Sequence, residues 1–364
     1  MIVAARRTAV APRGGALSAL NLHQLSAPVI QACLADSGID AEQVDEVIVG
    51  NALGAGGNPA RVVALAAGLP ETVAGLSIDR QCCSGLDALL LAEALIAAGA
   101  ARIVIAGGVE SYSQRPQRLR LMPGSSVPEP YEQPPFTPWP DRDPDMADAA
   151  DALAVSLGID AGEQDAWAMD SHCKALAAST LLSREIVALN GVSSDPFSRH
   201  LTPALCRRAR RISGSISHAN TAVAADAAAF CVVMSRSQAR ELGLPGVRLC
   251  AGKTLGADPD FPGSAPVAAM QAVLRSGQVE ARHLNRVEIM EAYAAQALAC
   301  IKLTNIDPGV VNVSGGALAR GHPIGASGAV LAVRLFSELS ASSGQGLAAI
   351  AAAGGLGTAL LMQA

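Results

Sequence analysis

Apolar positions recur along the chain in two rhythms. Leu22, Leu25, Val29, Ile30, Cys33 and Leu34 follow the three-to-four spacing of a helix. Val44-Asp45-Glu46-Val47-Ile48-Val49-Gly50 then predicts a strand. A second strand signal, Val73 to Ile78, runs into the polar turn Asp79-Arg80-Gln81. From Leu86 to Ile96 the chain reads as a helix apolar nearly all round, which places it in the middle of the molecule. Ile103 to Gly108 is the next strand, and the opening Met1 to Arg7 is a strand start. The pattern returns with Ala228 to Met234 and Val247 to Cys250. Strands alternating with helices define an α/β layer architecture.

The first half of this pattern recurs in the second. Val47-Ile48-Val49, Ser84-Gly85 and Ala106-Gly107-Gly108 are matched in order by Val287-Glu288-Ile289, Ser327-Gly328 and Ala353-Gly354-Gly355. Each match is short; their shared order and close spacing suggest a duplicated α/β unit. In that alignment the stretch Gly321-His322-Pro323 falls where Cys82 falls, near a common axis.

Composition breaks the rhythm after Ser111. Residues 114–144 are rich in Pro, Arg, Gln and Asp and read as an excursion outside the core. Tyr131, Phe136 and Trp139 lie within it, so either a disordered loop or a surface docking on a partner subunit fits. Asp160-Ala161-Gly162-Glu163 resembles a capping box opening a helix to about Ser179. Cys206-Arg207-Arg208-Ala209-Arg210-Arg211 is either a contact for phosphates or a solvated basic loop.

The whole composition narrows the function. With 50% hydrophobic and 16% charged residues, the 364-residue chain can bury a large core. Aromatics at 3% and a net charge of -5 argue against nucleic-acid binding. No apolar run reaches membrane-span length without Gly, Pro or charge, and the opening is too soon charged for a signal peptide. The eight cysteines show no metal-binding spacing, so no metal is expected, and free thiols in a reducing cytoplasm fit best.

Cys82 stands at the start of the long apolar helix. Free N–H groups and the positive dipole end collect there, and both favour a thiolate nucleophile. The competing reading is a pair of structural cysteines, Cys82 and Cys83, in a tight turn. His322, in Gly321-His322-Pro323-Ile324-Gly325-Ala326-Ser327-Gly328, supplies the imidazole that a Cys nucleophile needs for its proton.

These stretches together resemble the thiolase family. The likeness runs from Ile2-Val3-Ala4-Ala5 through Gly50-Asn51-Ala52-Leu53, Ala106-Gly107-Gly108-Val109-Glu110-Ser111 and Glu291-Ala292-Tyr293-Ala294-Ala295-Gln296 to Gly354-Gly355-Leu356-Gly357-Thr358. The resemblance implies two duplicated α/β halves stacked as five layers, α/β/α/β/α. Residues 1–111 with about 212–240 would form the N-terminal half, 112–211 an inserted loop domain, and 241–364 the C-terminal half. It also implies a coenzyme A thioester as substrate, no permanently bound cofactor, and a homodimer or tetramer with a possible accessory subunit. Cys82 matches the family nucleophile and His322 the catalytic histidine. Backbone N–H groups at Cys82 and Ala353 would hold the oxyanion, and Arg207, Arg208, Met146 and Ala222 would contact coenzyme A.

The departures from the family pattern cluster in one place. Its Asn-Glu-Ala-Phe motif is here Met290-Glu291-Ala292-Tyr293, which removes an amide that holds an enolate-stabilising water. Its second catalytic Cys is here Ala351. Asp145 stands for a histidine ahead of Met146, and Thr221-Ala222-Val223 stands for Ala-Ser-Gly. Glu291 and Cys83 are the candidate acid/base substitutes. The expected activity is acyl transfer from coenzyme A through acyl-Cys82, nominally that of an acetyl-CoA acetyltransferase or 3-ketoacyl-CoA thiolase. Transfer to oxygen, nitrogen or water, or a catalytically weak acyl-CoA-binding subunit, are the alternatives.

Overall fold

The computed structural model describes all 364 residues, Met1–Ala364. Its first sheet is built on β1 (Ile2–Thr8), β2 (Glu46–Gly50), β3 (Ala74–Ile78), β4 (Ile103–Ser111) and β5 (Ala225–Met234). They lie in the order β3-β2-β4-β5-β1, with Ile186–Val187 added beside β1 and Ala11–Pro12 paired to β5. β2 runs parallel to β3 and β4, whereas β5 is antiparallel to β4 and β1. The second sheet has β6 (Arg248–Gly256), β7 (Arg286–Ile289), β8 (Gln345–Ala352) and β9 (Leu356–Gln363) in the order β6-β9-β8-β7. β7 is parallel to β8, and β9 is antiparallel to β8 and β6. The pairs β1/β6, β2/β7, β4/β8 and β5/β9 therefore correspond. The counterpart of β3 shrinks to a parallel bridge between Val287 and Val311.

Period-two side chains divide the core between layers. On β4, Ile103 and Ile105 face the outer cluster under α1 (Leu22–Ser37) and α2 (Pro59–Ala66). Val104 and Ala106 face the middle cluster. On β8, Ala348 and Ile350 face the middle, while Leu347 and Ala349 face α6 (Pro266–Gly277) and α7 (Ala294–Thr304). The middle layer holds α3 (Ser84–Ala97) and α8 (Ile324–Ser342). α8 is apolar and 19 residues long, enough by length and composition to cross a membrane; here it is packed between the two sheets.

Glycine lets the central helices meet backbone to backbone. A Cβ on Gly85 would lie 2.6 Å from the Ala329 nitrogen, and one on Gly328 would lie 2.4 Å from the Leu86 nitrogen. The expected burial of α3 holds for its first half only. Ser84 to Leu89 are buried, whereas Leu91, Glu93, Ala94 and Ala97 are exposed. An Ala/Leu helix looks alike on every face, and only the face and turns that meet α8 and the sheets are covered.

Between β4 and β5 the chain leaves the first sheet. The excursion is a hairpin, Arg118–Leu121 with Pro128–Tyr131, carrying exposed Leu119, Leu121 and Val127. Two helices follow, α4 (Met146–Leu157) and α5 (Ala161–Ala177), the second opened by the expected Asp160/Glu163 capping box. This segment is tied inward by buried charge. Arg7 on β1 pairs with Glu185 and Asp195, each at 2.7 Å, and Arg334 on α8 pairs with Glu185 and Glu338. Burial pushes the Glu185 carboxyl up, but Arg334 and Arg7 hold it below the usual carboxylate range.

Candidate active site

Both central helices start without a side-chain cap, at Cys83 and at Pro323. Cys82 and His322 each stand two residues before the first residue of their helix, as the internal alignment predicts. The Cys82 turn is tightly wired. Ser84 Oγ donates to the Gln81 carbonyl at 2.7 Å and accepts from the Arg80 N–H at 2.7 Å. Gln81 takes a positive φ of 53°, a strained conformation that aims the next residue outward. The His322 turn is clamped from the other half. Its N–H donates to the Val223 carbonyl at 2.7 Å. Buried Glu110 on β4 accepts from the Gly325 N–H at 3.0 Å and from Asn51 Nδ2 at 2.8 Å.

As a result, Cys82 Sγ lies 3.2 Å from His322 Nε2. His322 Nδ1 is 2.6 Å from Ser327 Oγ, one turn into α8. For Nε2 to accept the thiol proton, Nδ1 must carry the ring hydrogen and donate it to Ser327. Both groups are half-buried on the cavity wall, and desolvation opposes charge on each. It pushes the Cys82 thiol well above its ordinary range, with neighbouring Cys83 adding to the rise. It lowers the His322 imidazole to about 4. Desolvation thus opposes the thiolate that the helix terminus favours, and both shifts run toward a neutral thiol beside a neutral imidazole.

The pair opens on a cavity of about 320 Å³. Of its 21 lining residues, 14 are apolar. A larger polar cavity of about 490 Å³ adjoins it at Tyr112 but contains neither Cys82 nor His322. Among the sequence candidates, Met146, Ala222, Ala351 and Ala353 line the Cys82 cavity. No other residue accepts from the backbone N–H of Cys82 or of Ala353.

Five candidates lie elsewhere. Glu291 is fully buried and accepts from Trp167 Nε1, Ser171 Oγ, Asn312 Nδ2 and the Leu318 N–H at 2.8–3.1 Å. Four donors fix it as a structural carboxylate, not an acid/base group. Cys83 is fully buried with its Sγ toward the Ile350 carbonyl, and burial pushes its thiol up to about 12. Met290 is 2% exposed and packs in the middle core rather than on the cavity. Arg207 and Arg208 are exposed on the short helix Pro203–Arg208, outside the cavity and without side-chain hydrogen bonds. In the other direction, sequence reasoning missed Glu110 and Ser327. Both lie inside quoted motifs, and only the fold reveals what they hold. Phe136, from the excursion, also lines the cavity.

Comparison with known proteins agrees with this architecture. The models described as the thiolase N-terminal and C-terminal domains match residues 1–237 and 245–364. The chain is 40% identical to YhfS of Bacillus subtilis (strain 168), provisionally named an acetyl-CoA C-acetyltransferase, across 100% of this chain and 98% of that one. It is 36% identical to VraB of Staphylococcus aureus (strain COL), provisionally named likewise, across 99% and 98%. The crystal structure of a Bacillus anthracis acetyl-CoA acetyltransferase superposes with a TM-score of 0.92 at 33% identity, across 100% and 98%. The chain belongs to the thiolase family.

Proposed function

We propose that this thiolase-family acyltransferase takes an acyl group from a coenzyme A thioester onto Cys82. The 3.2 Å contact between Cys82 Sγ and His322 Nε2 on an apolar cavity carries the reading. His322 Nε2 accepts the thiol proton as the sulfur attacks the thioester carbonyl carbon. The N–H groups of Cys82 and Ala353 are the proposed donors to the resulting oxyanion. Collapse breaks the bond to the coenzyme A sulfur, which leaves with the proton from His322, and acyl-Cys82 remains.

The second half-reaction is where this chain departs. A carbon–carbon step needs a base at the acyl α-carbon, and the cavity presents Ala351 at the position where the family has a thiol. Loading of Cys82 is therefore faster than condensation or thiolysis. Transfer to oxygen, nitrogen or water needs only His322 as base, and it is the second reading. The solution form is a homodimer or larger. The open edge of β3 supports this, with exposed Leu76 beside exposed Val62 and Leu65 on α2. The basic run at Arg207 and Arg208 is proposed to meet the phosphates of coenzyme A, and the cytoplasm is the proposed location. Intact-mass detection of an acyl adduct after incubation with acetyl-CoA and longer acyl-CoAs tests the central claim. An adduct lost in Cys82→Ser supports it; no adduct with any acyl-CoA overturns it.

A further inference from the structure

The cavity wall carries two hydroxyls that the acylation chemistry leaves unused. Thr221 and Tyr293 face each other as an isolated antiparallel bridge. The Ala222 N–H donates to the Ala292 carbonyl at 2.9 Å, and the Ala294 N–H donates to the Asn220 carbonyl at 2.9 Å. These bonds flank the pair and make it a non-hydrogen-bonded pair, the arrangement in which facing side chains lie closest. Both side chains project to one face, and both residues line the Cys82 cavity. Thr221 Oγ1 is buried and has no partner. Tyr293 makes no side-chain hydrogen bond either, and its ring packs against the Ala147–Leu153 side of α4. Burial, and then Asp145, raise the Tyr293 phenol above its ordinary range, so it stays protonated and donates. Both hydroxyls stand where the thiolase pattern has alanine and phenylalanine. The two positions lie far apart in sequence and meet only after folding.

A buried hydroxyl without a partner, as at Thr221, is costly unless a ligand meets it, and the unpaired Tyr293 hydroxyl lies on the same wall. Neither is the nucleophile, its base or an oxyanion donor. The neighbouring Gln296 amide oxygen is also buried and unpartnered, which adds an acceptor to the same wall. A saturated acyl chain offers this set nothing. A ketone offers only an acceptor. An alcohol offers both a donor and an acceptor, as do the hydroxyls themselves. We propose that Thr221 and Tyr293 form a notch that selects acyl groups bearing a hydroxyl substituent.

This inference rests on acyl loading at Cys82, and its test separates the two claims. Butyryl-, 3-hydroxybutyryl- and 4-hydroxybutyryl-CoA differ only in the alcohol and its position. Their second-order rates of Cys82 loading are measured by intact mass. At least one hydroxylated acyl group is expected to load roughly tenfold or more faster than butyryl, because a site built for a hydroxyl discriminates strongly against its absence. Tyr293→Phe and Thr221→Ala should each shrink that ratio, and the double variant should bring it to about one. Equal rates in the wild type, or a preference that survives in the double variant, overturn the notch. Calorimetry of the same thioesters on Cys82→Ala gives a readout independent of loading. If nothing loads but the hydroxylated thioesters bind more tightly, acylation fails and the notch stands. If all three bind equally, or none binds, the notch falls.

Discussion

Cys82 Sγ and His322 Nε2 lie 3.2 Å apart although 240 positions separate them in sequence. The contact depends on two helix starts that glycines allow to touch, one from each copy of a duplicated unit. Its chemistry is directional, since only the Cys82 sulfur faces the imidazole. Cys82→Ser should abolish acyl loading. Cys83→Ser, whose side chain points to the Ile350 carbonyl, should keep at least half of it. Peptide mapping of the adduct after single turnover checks this, and an adduct on Cys83 would reverse the assignment.

The pH profile follows from the imidazole lowered to about 4. A base is lost only when it is protonated, so loading should fall as pH drops through about 4, not through the ordinary histidine range. Between pH 5 and pH 8 the single-turnover rate should vary by less than about twofold. A limb centred between 6 and 7 would instead indicate a resting imidazolium–thiolate pair.

The two altered family positions separate in space, and their variants should separate in effect. Ala351→Cys places a thiol on the cavity wall and should raise acetoacetyl-CoA thiolysis by about tenfold or more, since a positioned acid/base contributes roughly 10²–10⁴. Met290→Asn instead puts an amide into a packed core. It should lower stability by about 2–5 kcal/mol, read by denaturant unfolding. If Met290→Asn alone restores thiolysis, the residue reaches the site despite its packing.

Gly328→Ala would set a Cβ 2.4 Å from the Leu86 backbone nitrogen. Backbone cannot yield as a side-chain end can, so α3 and α8 must part. Loading should fall more than about tenfold and the melting temperature should drop, because overpacking costs about 1–3 kcal/mol. Unchanged loading would mean that the helices can slide without moving Cys82 from His322.

The open edge of β3 and the exposed Leu76, Val62 and Leu65 predict self-association. Sedimentation velocity at micromolar concentration should show a dimer or tetramer. Leu76→Lys should shift it toward monomer, and a stable wild-type monomer would sink the proposal.

Much of this was legible before the structure. The run Ile103 to Gly108 read as a strand because β-branched residues follow one another, and the structure extends it to Ser111. The Cys82 turn was found because it sits at the mouth of a long apolar helix, and the His322 turn because the internal repeat sets it where Cys82 falls. Glu291 was misread because sequence shows a carboxylate but not the four donors around it. Sequence shows the helix terminus that favours a Cys82 thiolate but not the desolvation that opposes it. Thr221 and Tyr293 escaped notice as a pair, since 72 positions separate them and only the bridge joins them.

The buried ion network fixes the scale of cooperativity. Arg7 belongs to the first strand, Glu185 and Asp195 to the segment between β4 and β5, and Arg334 and Glu338 to a helix of the second half. Removing any one of these parts would strand a buried charge, at a cost of roughly 3–5 kcal/mol for each broken pair. The halves thus share a history of duplication without remaining separable modules. The chain is therefore expected to melt as one unit in calorimetry, with neither half folding when expressed alone.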